Sequence, residues 1–254
     1  MLSKNKIKLI HSLAHKKIRT ETGLFIAEGN KTVADMLPYF ECELLLTRPC
    51  WLATQGDIKT KELIVAEDGE IEKASLLKNP QDVIAVFHQP ALGELTAAFL
   101  KQEICLALDG IQDPGNLGTI VRIADWFGIE RIICSKDTAD IYNPKTIQAT
   151  MGALARIQVY YTELPAFLRQ ASREVDFPVY GTFLEGENLY EQSLGSAGII
   201  IMGNEGNGIR ETLLPYISKK IRIPSYPAER ETSESLNVAV ATAVVCAEIR
   251  RQSR

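Results

Sequence analysis

The stretch Asp113-Pro-Gly-Asn-Leu-Gly-Thr-Ile-Val-Arg122 comes shortly after the apolar run Ile104-Cys-Leu-Ala-Leu108. The apolar run predicts a buried strand, and the Pro-Gly turn with apolar residues at helical spacing predicts a helix over 116–127. We expect Asp113 or Asn116 to cap that helix. Open α/β sheets form their ligand sites where strands end and helices begin. The stretch therefore predicts an α/β sheet with a binding site at the ends of its strands.

The same alternation of apolar runs and helical patterns continues toward the C-terminus. Further strands are predicted at 131–134, 156–161, 178–183, 198–202 and 219–223, and further helices at 144–154, 163–173 and from Leu236 onward. Such alternation is typical of a mostly parallel sheet with helices on both of its faces.

A second set of elements precedes this region. A basic helix is predicted from Lys4 to His15, and strands are predicted at 25–27, 42–46, 63–66 and 83–87. The short helices between those strands indicate a small α/β domain, and a segment containing Pro and Gly follows it. We therefore expect an N-terminal domain over 1–90, a linker over 91–103 and a C-terminal domain over 104–254.

Composition and charge narrow the function. The chain has 254 residues, of which 46% are hydrophobic, and a formal net charge of −4. These values support a packed core and exclude nucleic-acid binding through overall charge. The N-terminus is nevertheless basic, because no acidic residue precedes Glu21. Lys16, Lys17 and Arg19 are therefore candidates for binding phosphate groups, although a run of charges is most often a solvated helix face.

The cysteines and the N-terminal sequence indicate the cellular compartment and whether a metal site is expected. The five cysteines form no C-x-x-C pair and match no zinc spacing. Most lie in apolar runs, where cysteine acts as a small hydrophobic residue, so we expect reduced thiols and no metal site. The N-terminus lacks the apolar stretch of a signal peptide, and no segment offers the roughly 20 apolar residues of a membrane span. These features predict a cytoplasmic location.

A glycine-rich block, Gly203-Asn-Glu-Gly-Asn-Gly208, directly follows the apolar run 199–202. Glycines at a strand end let a ligand approach the backbone, although one such block alone is more often an ordinary turn. Its spacing matches neither G-x-G-x-x-G nor a P-loop, which disfavours dinucleotide and triphosphate binding. Glu205 is a candidate to anchor a nearby arginine or backbone amides.

Other polar residues lie near the ends of predicted helices. Arg122 is off the apolar stripe of its helix, so it either pairs with Asp125 on the surface or points to a phosphate group. Asn237 would be costly to bury without a partner, so we expect it to bind loops or a ligand. Ser233 or Ser235 is the expected cap of the last helix. The small residues of that helix favour close packing against the sheet or a second subunit.

Three of these blocks resemble the motifs of the SpoU (TrmH-like) ribose methyltransferases of the SPOUT superfamily. They occur in the family's order, at Asn116 through Arg122, at Asn204-Glu-Gly206 and at Ser235-Leu-Asn-Val238. The N-terminal part is similar to the family's ribosomal-protein-like substrate-binding domain, through residues 16–19, 23–29 and 80–86. The resemblance covers nearly the whole chain.

The resemblance implies a C-terminal domain whose last segment threads a loop to form a deep trefoil knot. It implies S-adenosylmethionine as the methyl donor, bound in a bent form mainly by backbone, and no metal. The matching cofactor-binding positions are Gly203, Ile223 and Leu236, with Thr182 as a further candidate. It also implies a homodimer formed through the knotted domain.

The resemblance assigns catalysis to Arg122, with Asn116, Glu205, Ser235 and Asn237 arranging the site. The implied reaction is an in-line attack of a ribose 2′-oxygen on the sulfonium methyl group. An arginine, with a pKa above about 12, is a reluctant base. We therefore favour phosphate binding and stabilisation of alkoxide charge by Arg122, with Glu205 holding the guanidinium. Arg122 as the base, and proton loss to water or to a phosphate oxygen, remain alternatives.

The N-terminal domain indicates an RNA substrate, since family members with this domain usually act on ribosomal RNA. Large-subunit ribosomal RNA is favoured, with contacts at Lys16, Lys17 and Arg19. The alternatives are the same reaction on tRNA, or an RNA-binding or ribosome-assembly factor without catalysis. The segment 225–234 departs from the family, because it is longer than usual and lacks the glycine often found there.

Overall fold

The computed structural model describes residues 2–67, 69–227 and 234–253. The chain divides into two compact units, the first formed by Met1–Ala91 with Asp140–Arg156 and the second by Leu92–Ala139 with Ile157–Arg254. The segment Asp140–Arg156 thus groups with the first unit in space. The division into functional domains at 1–90, 91–103 and 104–254 stays a prediction.

Within the described residues, the first part of the chain supplies five helices and four strands to the first unit. They are α1 (Lys4–Ser12), α2 (Lys16–Thr22), β1 (Leu24–Glu28), α3 (Asn30–Met36), β2 (Cys42–Thr47), α4 (Pro49–Leu52), β3 (Leu63–Val65), α5 (Glu70–Ala74) and β4 (Val83–His88). The sheet order is β1-β4-β2-β3, with β4 antiparallel to both neighbours and β2 parallel to β3. The four predicted strands are confirmed.

The predicted basic helix from Lys4 to His15 is shorter in the structure, and a second helix follows it. The helix α1 ends at Ser12, and α2 begins only at Lys16. The backbone carbonyls of Leu13 and Ala14 accept hydrogen bonds from the guanidinium of Arg19, at 2.8 and 2.9 Å. A side chain therefore satisfies carbonyls that a continuous helix would have used, which allows the chain to turn there.

The later part of the chain alternates strands and helices as predicted. The elements are a 3-10 helix (Ala98–Lys101), β5 (Ile104–Leu108), α6 (Pro114–Trp126), β6 (Arg131–Ser135), α7 (Pro144–Thr150), a 3-10 helix (Ala153–Arg156), β7 (Gln158–Thr162), α8 (Leu164–Glu174), β8 (Val179–Asn188), a 3-10 helix (Leu189–Glu191), β9 (Gly198–Met202), a 3-10 helix (Glu211–Tyr216), β10 (Lys219–Arg222) and α9 (Val238–Gln252). Of these, α7 and the 3-10 helix after it belong to the first unit.

The sheet of the second unit contains six parallel strands in the order β10-β8-β9-β5-β6-β7. The central strands β5 and β9 are buried along their whole length, which explains why both read as continuous apolar runs. This confirms the predicted parallel α/β sheet. The trefoil knot stays a prediction.

One irregularity in this sheet lies between β8 and β10. The strand β8 runs beyond the predicted end at 183, and its register with β10 jumps from Gly181 opposite Lys220 to Glu187 opposite Ile221. Residues 182–186 therefore bulge out of the ladder at the strand end. Such bulges are common next to binding sites, where they redirect side chains.

All five cysteines are free, and only Cys50 is exposed. The predicted reduced state therefore agrees with the structure. Among the helices of residues 2–67, 69–227 and 234–253, none is long and apolar enough to cross a membrane.

Candidate active site

The helices α6 and α9 each begin with a residue whose side chain caps the helix. Asp113 caps α6, because its carboxylate accepts a hydrogen bond from the backbone N–H of Asn116 at 2.9 Å. Asn237 caps α9, because its Oδ1 accepts from the backbone N–H groups of Ala239 at 3.0 Å and Val240 at 3.3 Å. The prediction of Ser235 as the cap is therefore wrong. The other candidate, residue 233, lies outside the described residues.

The cap of α9 sets the direction of a chain of three side chains, which we call the relay: Asn237, Asn116 and Glu205. Because Oδ1 of Asn237 serves the helix, its Nδ2 is left to donate to Oδ1 of Asn116, at 3.0 Å. Nδ2 of Asn116 then donates to Oε1 of Glu205, at 2.9 Å. An amide carries its donors and its acceptor on separate atoms. The donor direction therefore passes from Asn237 through Asn116 to Glu205, which receives an N–H group, and a carboxylate suits that position because it is an acceptor.

Arg122 lies on α6, six residues after Asn116, and its side chain is exposed. The expected contact with Glu205 does not form within the described ranges, because Oε1 of Glu205 takes the amide of Asn116 instead. No ion pair between Arg122 and Asp125 forms there either. The structure thus brings Asn116, Glu205 and Asn237 together and leaves the guanidinium of Arg122 available to a ligand.

A cavity of about 980 Å³ opens at the carboxyl ends of β8, β9 and β10. The four predicted cofactor-binding residues all line it: Thr182, Gly203, Ile223 and Leu236. Ser235 also lines it. Glu205, at the end of the relay, lines it as well. The cavity and the relay therefore share an edge, and the volume is in the range of pockets that bind drug-sized ligands.

The wall of this cavity fits S-adenosylmethionine. A Cβ atom at Gly203 would overlap the backbone of Gly208, so the chain leaves the strand there without a side chain. The cavity is lined by the glycine-rich loop 203–208 and by apolar residues such as Met202 and Val245. Backbone polar groups beside apolar walls suit a ligand with an aromatic base and a polar tail.

The glycine-rich loop 203–208 is closed by Asn204. Its backbone exchanges two hydrogen bonds with Gly208, each of 3.0 Å. Its Oδ1 accepts from the backbone N–H groups of Gly206 and Asn207, at 2.9 and 3.0 Å. Its Nδ2 donates to the carbonyl of Gly110 at 2.7 Å, which fastens the loop to the end of β5. Glu205 therefore extends from a rigid turn.

Sequence reasoning missed an ion pair at the ends of the strands, which we call the brace: Asp109 and Arg210. Asp109 is 1% exposed and accepts from the backbone N–H and from Nε of Arg210, at 2.8 and 2.6 Å. The guanidinium also reaches Asp137 at 3.1 Å. The bond to Asp109 is the main reason that the pKa of Arg210 is raised. The sequence signal was an aspartate directly after an apolar strand, since a buried carboxylate requires partners.

The three N-terminal residues predicted to bind RNA differ in exposure. Lys16 and Lys17 are exposed, and Lys17 lies 3.8 Å from Glu21. Arg19 is 2% exposed and pairs with Asp140 at 2.6 Å, in addition to its bonds within the turn between α1 and α2. The prediction that Arg19 contacts RNA is therefore wrong for this conformation, because its donors are buried and already used.

The described part of the chain contains no cluster of three or more His, Cys, Asp or Glu residues suited to a metal ion.

Comparison with known proteins supports the same assignment over the whole chain. The profile of the SpoU rRNA Methylase family matches residues 103–247, and that of the MRM3-like substrate binding domain matches residues 4–85. The chain is 32% identical over 248 residues to the 23S rRNA (guanosine(2553)-2′-O)-methyltransferase RlmP of Bacillus subtilis, covering 96% of each protein. It is 34% identical over 151 residues to the 23S rRNA (guanosine-2′-O-)-methyltransferase RlmB of Neisseria meningitidis, covering 59% of this chain and 58% of that protein.

Solved structures match at similar length. A TrmH-family protein from Porphyromonas gingivalis superposes with a TM-score of 0.90 at 38% identity, covering 99% of each chain. An AdoMet-bound rRNA methyltransferase from Sinorhizobium meliloti gives a TM-score of 0.81 at 30% identity, covering 99% of this chain and 96% of that one. Motifs, fold and relatives agree, and the chain belongs to the SpoU rRNA methylase family.

Proposed function

We propose that this protein transfers a methyl group from S-adenosylmethionine to the 2′-oxygen of a ribose in RNA, with large-subunit ribosomal RNA as the substrate. The observation that carries the proposal is the relay that ends at Glu205, on the edge of a cavity that fits the cofactor. The relatives RlmP and RlmB are named as 23S ribosomal RNA guanosine 2′-O-methyltransferases, which supports the substrate class.

The chemistry assigns separate tasks to the two parts of the site. When bound, S-adenosylmethionine supplies an electrophilic methyl group on a sulfonium. The attacking 2′-hydroxyl must lose its proton as the carbon–oxygen bond forms and the carbon–sulfur bond breaks. Arg122 binds the neighbouring phosphate and stabilises the developing alkoxide. The proton passes to water or to a phosphate oxygen.

The relay positions the ribose. One N–H on Nδ2 of Asn116 and one on Nδ2 of Asn237 donate to acceptors within the relay, and Glu205 at its end lines the cavity. Its carboxylate accepts a hydrogen bond from the substrate, and Ser235 completes the edge of the cavity. The role of Glu205 is therefore to orient the substrate, and it need not hold Arg122.

The cofactor is held at the cavity wall. Gly203 would give the cofactor access to the backbone of the glycine-rich loop, while Leu236 and Ile223 would supply apolar contact. Thr182 lies on the bulge of β8, where its hydroxyl donates to the carbonyl of Ile201 at 3.1 Å. The C-terminal segment forms the family's trefoil knot around this cavity. Backbone then forms most of the surface around the bound cofactor. A side-chain substitution changes the shape of that surface little.

A homodimer through the second unit is part of the proposal. The helices α6 and α9 pack together, and on them Trp126 is 85% exposed and Val240 50% exposed. Large apolar side chains exposed on adjacent helices are typical of a surface that a partner covers. Sedimentation at micromolar concentration should give a dimer, and Trp126→Glu should give monomers. A monomeric wild-type protein would contradict this part.

RNA binding by the first unit and a cytoplasmic location complete the proposal. Lys16 and Lys17 remain exposed and free of strong ion pairs, so they are suited to bind phosphates of the substrate. The location follows from bacterial relatives that modify ribosomal RNA.

The test is incubation of the purified protein with labelled S-adenosylmethionine and separate pools of unmodified ribosomal RNA and tRNA. Mass spectrometry of the digested nucleosides then locates the methyl group. A 2′-O-methyl nucleoside from the ribosomal pool is the expected result, and one from tRNA would replace the substrate class. A methyl group on a base would overturn the chemistry. Absence of cofactor binding by calorimetry would favour the non-catalytic alternative.

A further inference from the structure

The brace joins the two segments that lead to Asn116 and Glu205. Asp109 directly follows β5 and begins the segment that leads to Asn116, whereas Arg210 comes two residues after the glycine-rich loop 203–208, which carries Glu205. The two bonds from Arg210 to Asp109 therefore tie the exit of the glycine-rich loop to the exit of β5. Asn204 makes a second tie, to the carbonyl of Gly110.

Buried hydrogen bonds support the brace from a third strand. The backbone N–H of Gly110 donates to Oγ of Ser135 at 2.8 Å, and Ser135 lies 3.0 Å from the hydroxyl of Thr138. Asp137, between them, accepts from Arg210. The hydrogen bond from Ser135 is the main cause of the lowered pKa of Asp137, so this carboxylate stays charged beside the arginine.

Glu205 lies between the two ties, and among the described residues its one side-chain hydrogen bond is the one from Asn116. Its position is therefore set by the loop that the ties hold. We propose that Arg210 and Asp109 are positioning residues for methyl transfer, which act by holding Glu205 within hydrogen-bond distance of Asn116. The inference rests on the proposed function, since it assigns the brace to the same site.

The geometry of an arginine is required for this task. Its backbone N–H and Nε bind the two oxygens of Asp109 while its terminal nitrogen reaches Asp137. A lysine would keep the charge and the backbone N–H bond but lose the bonds from Nε and from the terminal nitrogen, because an ammonium is a point donor on a flexible stem. Arg210→Lys thus removes the orientation without leaving the buried carboxylate of Asp109 without a cation.

The first experiment is a double-mutant cycle between Arg210→Lys and Glu205→Gln. Single-turnover methyl transfer at saturating cofactor measures the rate, and calorimetry measures the dissociation constant of S-adenosylmethionine. We expect Arg210→Lys to lower the rate about 10- to 100-fold in the wild-type background and less than about threefold in Glu205→Gln, because residues that act through one another are not additive. Equal losses in both backgrounds would overturn the inference.

Controls separate positioning from folding. Arg169→Lys changes an exposed arginine that bonds the Tyr216 hydroxyl in the same unit, and it should leave rate and melting temperature unchanged. Asp109→Asn keeps the acceptor for the backbone N–H of Arg210 and removes the charge, so it should lower the rate as Arg210→Lys does. A rate loss that follows only the fall in melting temperature would count against the inference.

A measurement that does not require enzymatic activity tests the inference without the RNA substrate. The side-chain amide of Asn116 gives its own nitrogen–proton signals in NMR, which Asn116→Asp identifies. We expect these signals to shift in Arg210→Lys toward those of Glu205→Gln, and to stay unchanged in Arg169→Lys. Unchanged Asn116 signals in Arg210→Lys would overturn the brace. Failure of the wild type to methylate any RNA would overturn the proposed function alone.

Discussion

Arg19 in the first unit and Arg122 in the second unit are arginines in opposite states. Arg19 is 2% exposed, donates to two backbone carbonyls and pairs with Asp140. Arg122 is exposed, and within the described ranges it has no hydrogen-bond or ion-pair partner. A desolvated arginine whose donors are used can only hold structure, whereas an exposed arginine with free donors can bind a ligand. Basic residues in the sequence do not reveal this difference.

The largest expected effect is on Arg122. Arg122→Ala should lower the single-turnover rate of methyl transfer by about 10²- to 10³-fold, the usual cost of removing one donor that stabilises developing negative charge. Cofactor affinity and melting temperature should stay unchanged, because the side chain holds no part of the fold. Calorimetry and thermal unfolding check this.

The control for that variant is Arg173→Ala, an exposed arginine on α8 of the same unit. It should change neither rate nor stability. If Arg122→Ala lost cofactor affinity and melting temperature together, Arg122 would be structural and the contrast with Arg19 would disappear.

Arg19 should show the reverse behaviour. Arg19→Met leaves Asp140 and the carbonyls of the turn without their partner, and breaking a buried pair costs about 3 kcal/mol of the free energy of unfolding. For a chain of this size the melting temperature should fall by about 6–12 °C. The rate of the folded enzyme at low temperature should be retained.

Arg48→Met is the matched comparison in the same unit, because Arg48 pairs with Glu72 and Asp82 on a partly exposed surface. Its cost should be under about 1 kcal/mol. An Arg19→Met protein with wild-type stability and weakened RNA binding would restore the original assignment of Arg19 to RNA.

A smaller effect is expected at the exposed lysines of α2. Lys16→Glu with Lys17→Glu should weaken RNA binding about tenfold at moderate salt and reduce the salt slope of the affinity by about 2, since each phosphate contact contributes about 0.9. The exposed pair Lys59→Glu with Lys78→Glu carries the same charge change elsewhere in the unit. Equal weakening by both pairs would indicate general repulsion and no docking site on α2.

The smallest effect concerns pH and the buried Glu28 of the first unit. Burial raises its pKa above the reference value of 4.5, although hydrogen bonds from Ser75 and from the backbone of Leu76 oppose the shift. A raised folded-state pKa gives stability that is fully present below the unfolded pKa and is lost as pH rises through the folded one.

Glu28→Gln removes this titration. The melting temperature of the variant relative to the wild type should therefore increase by about 2 °C as pH is raised from 4 to 7. The exposed Glu21→Gln is the control and should show no such trend. A difference independent of pH would mean that the carboxylate is charged at no cost in the folded state.

The site was partly predictable from the sequence. The four cofactor positions and Ser235 line one cavity. Gly203 and Ile223 directly follow parallel strands, which bring their carboxyl ends to one edge of a sheet, whereas Ser235 and Leu236 lie just before the cap of α9. The partners were not predictable. Glu205 bonds Asn116 and not Arg122, and Asn237 caps α9 in place of Ser235, because a displacement of a few ångströms decides which acceptor a donor reaches.

Sequence alone determined the six parallel strands of the second unit, the four strands of the first and the order of the motifs, since periodicity and turn residues act locally. Tertiary structure alone decided the burial of Arg19, the brace of Asp109 and Arg210, and the grouping of Asp140–Arg156 with the first unit. Each of these joins residues that are about 50 or more positions apart in the chain. Their pairing depends on which groups are desolvated together when the chain packs. A local sequence pattern does not contain that information.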